Sequence, residues 1–262
     1  MDIQSIILAA VVVSAVGIFA GILLGIASEK FKVKVDENEI KVRALLPGNN
    51  CGGCGYPGCD GLAAAIAKGE AKPNGCPVGG EAVAKAIAEI VGGDADGVRM
   101  VAHVMCAGDC NKAKDAYEYV GPKDCRFAAN APGGGPKACS FGCMGFGSCK
   151  QACQFGAISI IDGVAVVDRD KCKSCGMCVA ICPRHLISMV PDEAGAIVEC
   201  SSKEFGKDVK AVCSAGCIGC GICARSCPNE AIKVENNLAK VDYEKCTGCS
   251  ECKSKCPAKI IK

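Results

Sequence analysis

Hydrophobic and polar positions divide the chain into stretches of different period. Ile3 to Ser28 carries no charge over 26 residues, and about 20 apolar residues cross a hydrocarbon core as a helix. From Glu29 to Pro47, Lys, Val, Asp and Glu alternate, which predicts a solvated or short-stranded linker. Gly61 to Lys68 and Glu81 to Val91 are alanine-rich with apolar residues at helical spacing, so two short helices are expected there. Further along, Ala157 to Val167 and Ala231 to Val241 read strand–turn–strand, turning at Asp162-Gly163 and Asn236-Asn237. The fold class this predicts is α+β.

Composition narrows the chemistry. The chain has 262 residues, 25 cysteines and no tryptophan, with only 4% aromatics, so its cores are not built on aromatic rings. Disulfide scaffolds are usually short, and an odd cysteine count argues against complete internal pairing. The first segment is flanked on its N-terminal side by Asp2 alone and on the other by Lys30, Lys32 and Lys34. A cleaved signal peptide would show the opposite, a positive n-region before a shorter apolar stretch. The positive-inside rule therefore predicts a single-pass anchor in the cell (cytoplasmic) membrane, with the rest of the chain in the cytoplasm. Thiols stay reduced there, which makes them metal ligands before disulfides. Gly17, Gly21 and Gly25 fall on one ridge of the helix, where a neighbouring membrane helix can approach closely. Net charge is +2, so no nucleic acid or other polyanion partner is implied.

The cysteine spacing is the strongest signal. Cys172, Cys175, Cys178 and Cys182-Pro183 follow C-x2-C-x2-C-x3-C-P, as do Cys217, Cys220, Cys223 and Cys227-Pro228, and Cys246, Cys249, Cys252 and Cys256-Pro257. This is the bacterial ferredoxin run, whose fourth cysteine ligates the other cluster of a pair. Zinc sites generally use two separated cysteine pairs instead. Residues 139–183 overlay 213–257 without a gap when shifted by 74. The chain therefore reads as two tandem two-cluster ferredoxin modules.

Crossed ligation assigns the clusters. In the second module Cys217, Cys220, Cys223 and Cys256 hold one, and Cys246, Cys249, Cys252 and Cys227 the other. In the first, Cys172, Cys175, Cys178 and Cys153 hold one. The remaining site departs from the pattern, because Phe146 stands where Cys220 stands in the other copy. Cys143, Cys149 and Cys182 remain, with Cys139 expected as the fourth ligand and a three-cysteine site as the alternative. Nearer the N-terminus, Cys51, Cys54, Cys59 and Cys76 are spaced C-x2-C-x4-C-x16-C among glycines that let the backbone turn around a cluster. They predict a small helical domain holding one [4Fe–4S] cluster.

The total is five [4Fe–4S] clusters on 20 cysteines. Cys106, Cys110, Cys125, Cys200 and Cys213 are left over. Four of these would suffice for a sixth cluster, with Cys106 and Cys125 its first candidates. Cys125 and Cys200 occupy similar places ahead of the two modules, so the competing readings are relics of the duplication or small buried hydrophobes. The expected organisation is an anchor (1–28), a linker (29–47), the helical domain (48–95), a connecting segment with extra cysteines (96–138), the first module (139–190), a second linker (191–212) and the second module (213–262).

Other chemistry is sparse. There is no glycine-rich dinucleotide fingerprint or phosphate loop, so no nucleotide or flavin site is evident. Pro132 to Pro136 reads as a loop, and His103 and His185 are isolated. No catalytic set stands out. From Glu199 to Lys262 there are 11 basic and 8 acidic residues, a balance of +3 that could receive an acidic protein by steered docking.

An uncharged N-terminal helix, then Asn50-Cys51-Gly-Gly-Cys54-Gly-Tyr-Pro-Gly-Cys59 and Cys76-Pro77, then tandem ferredoxin modules, resembles the B subunit of the Rnf complex. That family belongs to a membrane-bound ferredoxin:NAD oxidoreductase that exports Na+ or H+. The resemblance implies a subunit that accepts electrons from soluble reduced ferredoxin and relays them through its clusters to membrane redox subunits. Flavin and nicotinamide chemistry would then belong to other subunits. A polyferredoxin subunit of another membrane oxidoreductase, a hydrogenase or a quinone reductase, is the alternative.

Overall fold

A computed structural model describes residues 3–30 and 36–262. The first helix, α1 (Ile3–Lys30), has a window from Val11 to Lys30 of mean hydropathy 2.4, none of it buried. It is long and apolar enough to cross a membrane. At Gly17, Gly21 and Gly25 an added Cβ would meet nothing within 4 Å, so that ridge is uncovered.

Three helices form the next unit: α2 (Glu37–Leu45), α3 (Gly58–Ala67) and α4 (Gly80–Val91). The first of these lies inside the stretch expected to be a solvated or stranded linker. Asp36 caps it, its carboxylate accepting the Asn38 amide at 2.8 Å. Val42, Leu45 and Leu46 make one helical stripe, and Val42 and Leu46 are buried against Leu62, Ile66 and Ile87. The charges at Glu37, Glu39, Lys41 and Arg43 alternate with period two and mask that stripe in the sequence. Arg43 donates from Nε to Asp60 Oδ1 at 2.5 Å, tying α2 to α3.

Strand β1 (Met100–Val104) and helix α5 (Cys125–Ala129) occupy the expected connecting segment. The first module follows as α6 (Ser148–Ala152), β2 (Ile158–Ile161), β3 (Val164–Val167), α7 (Met177–Ile181) and β4 (Ile187–Pro191). Next come α8 (Gly206–Val212), α9 (Ile222–Arg225), β5 (Ile232–Glu235), β6 (Leu238–Val241) and α10 (Glu251–Lys255). The β2–β3 hairpin turns at Asp162 (φ 46°) and Gly163 (φ 76°), and β5–β6 at Asn236 and Asn237 (φ 51° and 62°). Two consecutive left-handed residues make the primed turn that matches strand twist.

Each hairpin packs beside a further pairing that reaches outside the expected module boundaries. Strand β1 pairs antiparallel with β4, Val101 opposite Val190. In the second half, Val198 bridges Ile261. The two arrangements correspond. Met105 donates its amide to the Leu186 carbonyl at 2.8 Å, and Glu199 donates to Ile260 at 2.8 Å. Leu186 and Ile260 are 74 residues apart (260 − 186), the offset of the internal repeat. Segments expected to be connectors thus supply a strand to the first half and a β-bridge to the second. They bury Val101, Val104 and Val190 in one core, and Ala196, Val198 and Ile261 in the other.

Candidate metal centres

Short helices aim the cysteine runs inward. A left-handed residue precedes each helix start, namely Gly147, Gly176, Gly221 and Ser250. Two residues on, Cys149, Cys178, Cys223 and Cys252 are all buried. Three small cavities open behind these helices and between the halves. Each is lined by four cysteines.

The first is lined by Cys217, Cys220, Cys223 and Cys256, the crossed set expected for the second module. The second is lined by Cys125, Cys143, Cys149 and Cys182. Here the structure departs from the expected grouping: Cys139 is absent and Cys125 takes its place. Spacing alone points to the neighbour four residues upstream, whereas α5 brings in Cys125 from the connecting segment. Ser148, itself buried, accepts the Cys125 amide at 2.7 Å and fixes that approach. Phe146, in the position of Cys220, is turned away and lies against Tyr119 with ring centroids 5.3 Å apart.

The third cavity is lined by Cys106, Cys139, Cys200 and Cys213. The candidate set for a sixth cluster therefore changes. Cys125 lines the second cavity, Cys139 the third, and Cys110 is exposed, with its amide on the Asp162 carbonyl at 2.8 Å. The expected likeness of Cys125 to Cys200 also fails, because the counterpart of Cys200 is Cys106. Cys143 donates its amide to Cys106 Sγ at 3.4 Å, and Cys217 donates to Cys200 Sγ at 3.3 Å. The third cavity is thus shared between the halves, each supplying two equivalent cysteines.

The remaining predicted groups also gather. Cys178 is pushed up to about 11, chiefly by burial and then by Cys175, Cys172 and Cys153 beside it. Burial, then Cys246, Cys227 and Cys249, raises Cys252. Cys76 is raised chiefly by burial, with Cys59 and Cys54 nearby. The helical unit meets the first module at Gly53, where an added Cβ would lie 2.9 Å from the Cys175 Cα. Cys51 is among the charges that raise Cys175.

These residues fit iron–sulfur cubes. Burial is the leading cause holding Cys149 at about 12 and Cys200 and Cys223 at about 11, so bare thiolates would be costly there. A bound cation would pull the protons off. Backbone amides already point at sulfurs, from Ala157 to Cys153 and Leu186 to Cys182 at 3.4 Å, and from Ala231 to Cys227 at 3.3 Å. Among the described residues, no three metal-binding side chains are close enough to share a single ion. The sulfurs surround cavities, as a multi-atom group requires and a lone tetrahedral zinc does not. His103 is not isolated: its Nε2 lies 3.2 Å from Glu199 Oε1. His185 is on the surface.

Comparison with known proteins agrees with the cysteine chemistry. Residues 46–78 match a family described as "Putative Fe-S cluster", residues 165–188 a 4Fe-4S binding domain, and residues 216–260 a 4Fe-4S dicluster domain. The B subunit of the Na(+)-translocating ferredoxin:NAD(+) oxidoreductase complex of Acetobacterium woodii is 46% identical over 87% of this chain and 69% of its own length. The B subunit of the proton-translocating ferredoxin:NAD(+) oxidoreductase complex of Clostridium ljungdahlii is 43% identical over 91% of this chain and 85% of its own. The B subunit of an ion-translocating oxidoreductase complex of Methanosarcina acetivorans is 42% identical over 89% of each.

Proposed function

Because the chain belongs to the family of Rnf-complex B subunits, and is an electron-transfer subunit of a ferredoxin:NAD oxidoreductase, we propose that it holds six [4Fe–4S] clusters on 24 of its 25 cysteines. The observation that carries this reading is the third cavity, ringed by Cys106, Cys139, Cys200 and Cys213. The other sets are Cys51, Cys54, Cys59 and Cys76; Cys153, Cys172, Cys175 and Cys178; Cys125, Cys143, Cys149 and Cys182; Cys217, Cys220, Cys223 and Cys256; and Cys227, Cys246, Cys249 and Cys252. Cys110 stays a free surface thiol.

Bound clusters supply one-electron transfer at low potential. The protein's part is to space the sulfurs, to bury them, and to aim amides at them, all of which set potential. Soluble reduced ferredoxin docks on the mildly basic second module. Electrons leave by the Cys51–Cys76 end toward the membrane partners. The contact of Gly53 with Cys175 supports that exit. Helix α1 anchors the chain with its iron–sulfur domains on the cytoplasmic side, as the basic residues after the helix favour. Its glycine ridge faces a partner helix.

Iron and acid-labile sulfide, counted on anaerobically purified protein, test the number. About 24 irons per chain are expected from six cubes. About 20 irons, with Cys213→Ser leaving the count unchanged, would reduce the reading to five.

A further inference from the structure

The repeat is nearly symmetric in its cysteines, but cations break it: Arg184 and Lys137 lie inside the first half, whereas the cation nearest the matching set of the second is the exposed Arg225, which donates to the Cys220 carbonyl at 3.2 Å. Arg184 follows Cys182-Pro183 and lines the cavity of Cys125, Cys143, Cys149 and Cys182. Among the described residues it is the only ionisable one there besides the cysteines. Its Nη1 donates to the carbonyls of Cys139 at 2.9 Å and Gly142 at 2.5 Å, and its Nη2 to Gly134 at 2.6 Å. The Pro132–Pro136 loop and the Cys139 turn therefore clamp the guanidinium between the second and third cavities. Among the described residues no carboxylate pairs with it. The cysteines whose charges bear on it are Cys139, Cys143, Cys106 and Cys125, members of both sets.

Its counterpart 74 residues on is Ala258, which follows Cys256-Pro257 and lines the equivalent cavity of the second module. Among the described residues, no ionisable group other than cysteine lines that cavity. A second cation sits on the same side of the asymmetry: Lys137, 7% exposed, donates to the Gly108 carbonyl at 2.6 Å near Cys213. Its counterpart is Ala211.

We propose that Arg184 is the residue that gives the relay its slope. Its fixed charge makes the Cys125–Cys182 set and the shared set easier to reduce than the matching Cys217–Cys256 set. The inference rests on the cluster assignments above. The physical ground is that a reduced cluster carries one more negative charge than an oxidised one, and a partly buried cation with no carboxylate partner favours it. The step biased in this way moves one electron from the second module toward the first, and no bond or proton changes. An electron delivered at the C-terminal module then runs downhill toward Cys175 and Gly53.

The test is an anaerobic potentiometric titration of the whole iron-loaded chain, followed by visible bleaching and EPR. Variants are Arg184→Met, Arg184→Lys and Ala258→Arg. In Arg184→Met, one to two electrons' worth of the titration should shift so that the reduced-to-oxidised ratio at fixed potential falls about tenfold, about 59 mV for one electron. Arg184→Lys should hold the wild-type ratio. Ala258→Arg should raise the ratio at the other end set by a similar factor. Unchanged titrations in Arg184→Met at full iron content would overturn the inference. So would equal shifts in the Met and Lys variants, which would trace to lost hydrogen bonds. If Arg184→Met loses iron, Ala258→Arg decides, and no shift there overturns it. An iron count near 20 in wild type would instead mark failure of the six-cluster reading.

Discussion

Cys106 and Cys200 hold equivalent places in the two halves of the molecule, each accepting an amide from the first cysteine of the following helix-capped loop, Cys143 and Cys217 respectively. Together with Cys139 and Cys213 they close one cavity that neither half owns. This relation reorders the cysteines and makes the ligand sets separable by mutation.

Cys125 and Cys143 should act as one site, and Cys139 as part of another. Cys125→Ser and Cys139→Ser should each cost about four irons or leave a three-iron EPR signal in the oxidised protein. The double variant Cys125→Ser/Cys143→Ser should lose no more than one cube, about four irons. Cys125→Ser/Cys139→Ser should lose the sum of the two single losses, because changes at separate sites add. Iron analysis of the four proteins checks this. Loss of more than about four irons in the first double variant would contradict the grouping.

Ser148 fixes the approach of Cys125. Replacing it with alanine leaves the Cys125 amide without its acceptor in a partly buried place, a cost of about 1–3 kcal/mol. Ser148→Ala should refill its cluster more slowly after reconstitution and hold it less well under denaturant. Iron retention against urea measures it, with Cys110→Ser as the unaffected control.

Gly53 marks the junction between the helical unit and the first module. A side chain there would overlap the Cys175 backbone. Gly53→Val should keep the full iron content, yet slow electron delivery from ferredoxin to membrane partners at least tenfold. Stopped-flow reduction of the assembled complex reads this. Normal onward transfer in a fully loaded variant would argue that the contact is not the exit.

Proton linkage gives a pH prediction. Burial raises the thiols of Cys149, Cys178, Cys200 and Cys223 above their ordinary range, to about 11–12. Emptied of iron at neutral pH, each takes up a proton, whereas the loaded site holds thiolates. The iron-bound form thus gains as pH rises and loses as it falls, by up to one proton per thiol. Iron transfer to a chelator should accelerate steeply from pH 8 to pH 6. A pH-independent loss would oppose this.

Much of this is readable from the chain because cluster ligation is local. A run such as Cys217 to Cys227 fixes its own loop and helix, and the 74-residue repeat places its partner run. What is not readable depends on tertiary placement. Cys125 lies 18 residues before Cys143 (143 − 125), in a segment with no repeat counterpart, and only the packing of α5 on Ser148 reveals it. Helix α2 is hidden for another reason, since its period-two charges obscure Val42, Leu45 and Leu46. Strand β1 around Val101 and the bridge at Val198 lie in stretches that read as connectors, because one short apolar run does not announce which hairpin it will join.

The shared cavity also bears on how such a chain comes into being. Either half alone carries only a pair of the four thiols, Cys106 with Cys139 or Cys200 with Cys213, and could not retain a cube. Two identical copies of an undoubled chain, meeting about a two-fold axis, would complete it. Fusing the copies turns that encounter into an intramolecular one, so a cluster at the seam, as proposed here, would act as a rivet that seats only after both halves have folded and docked.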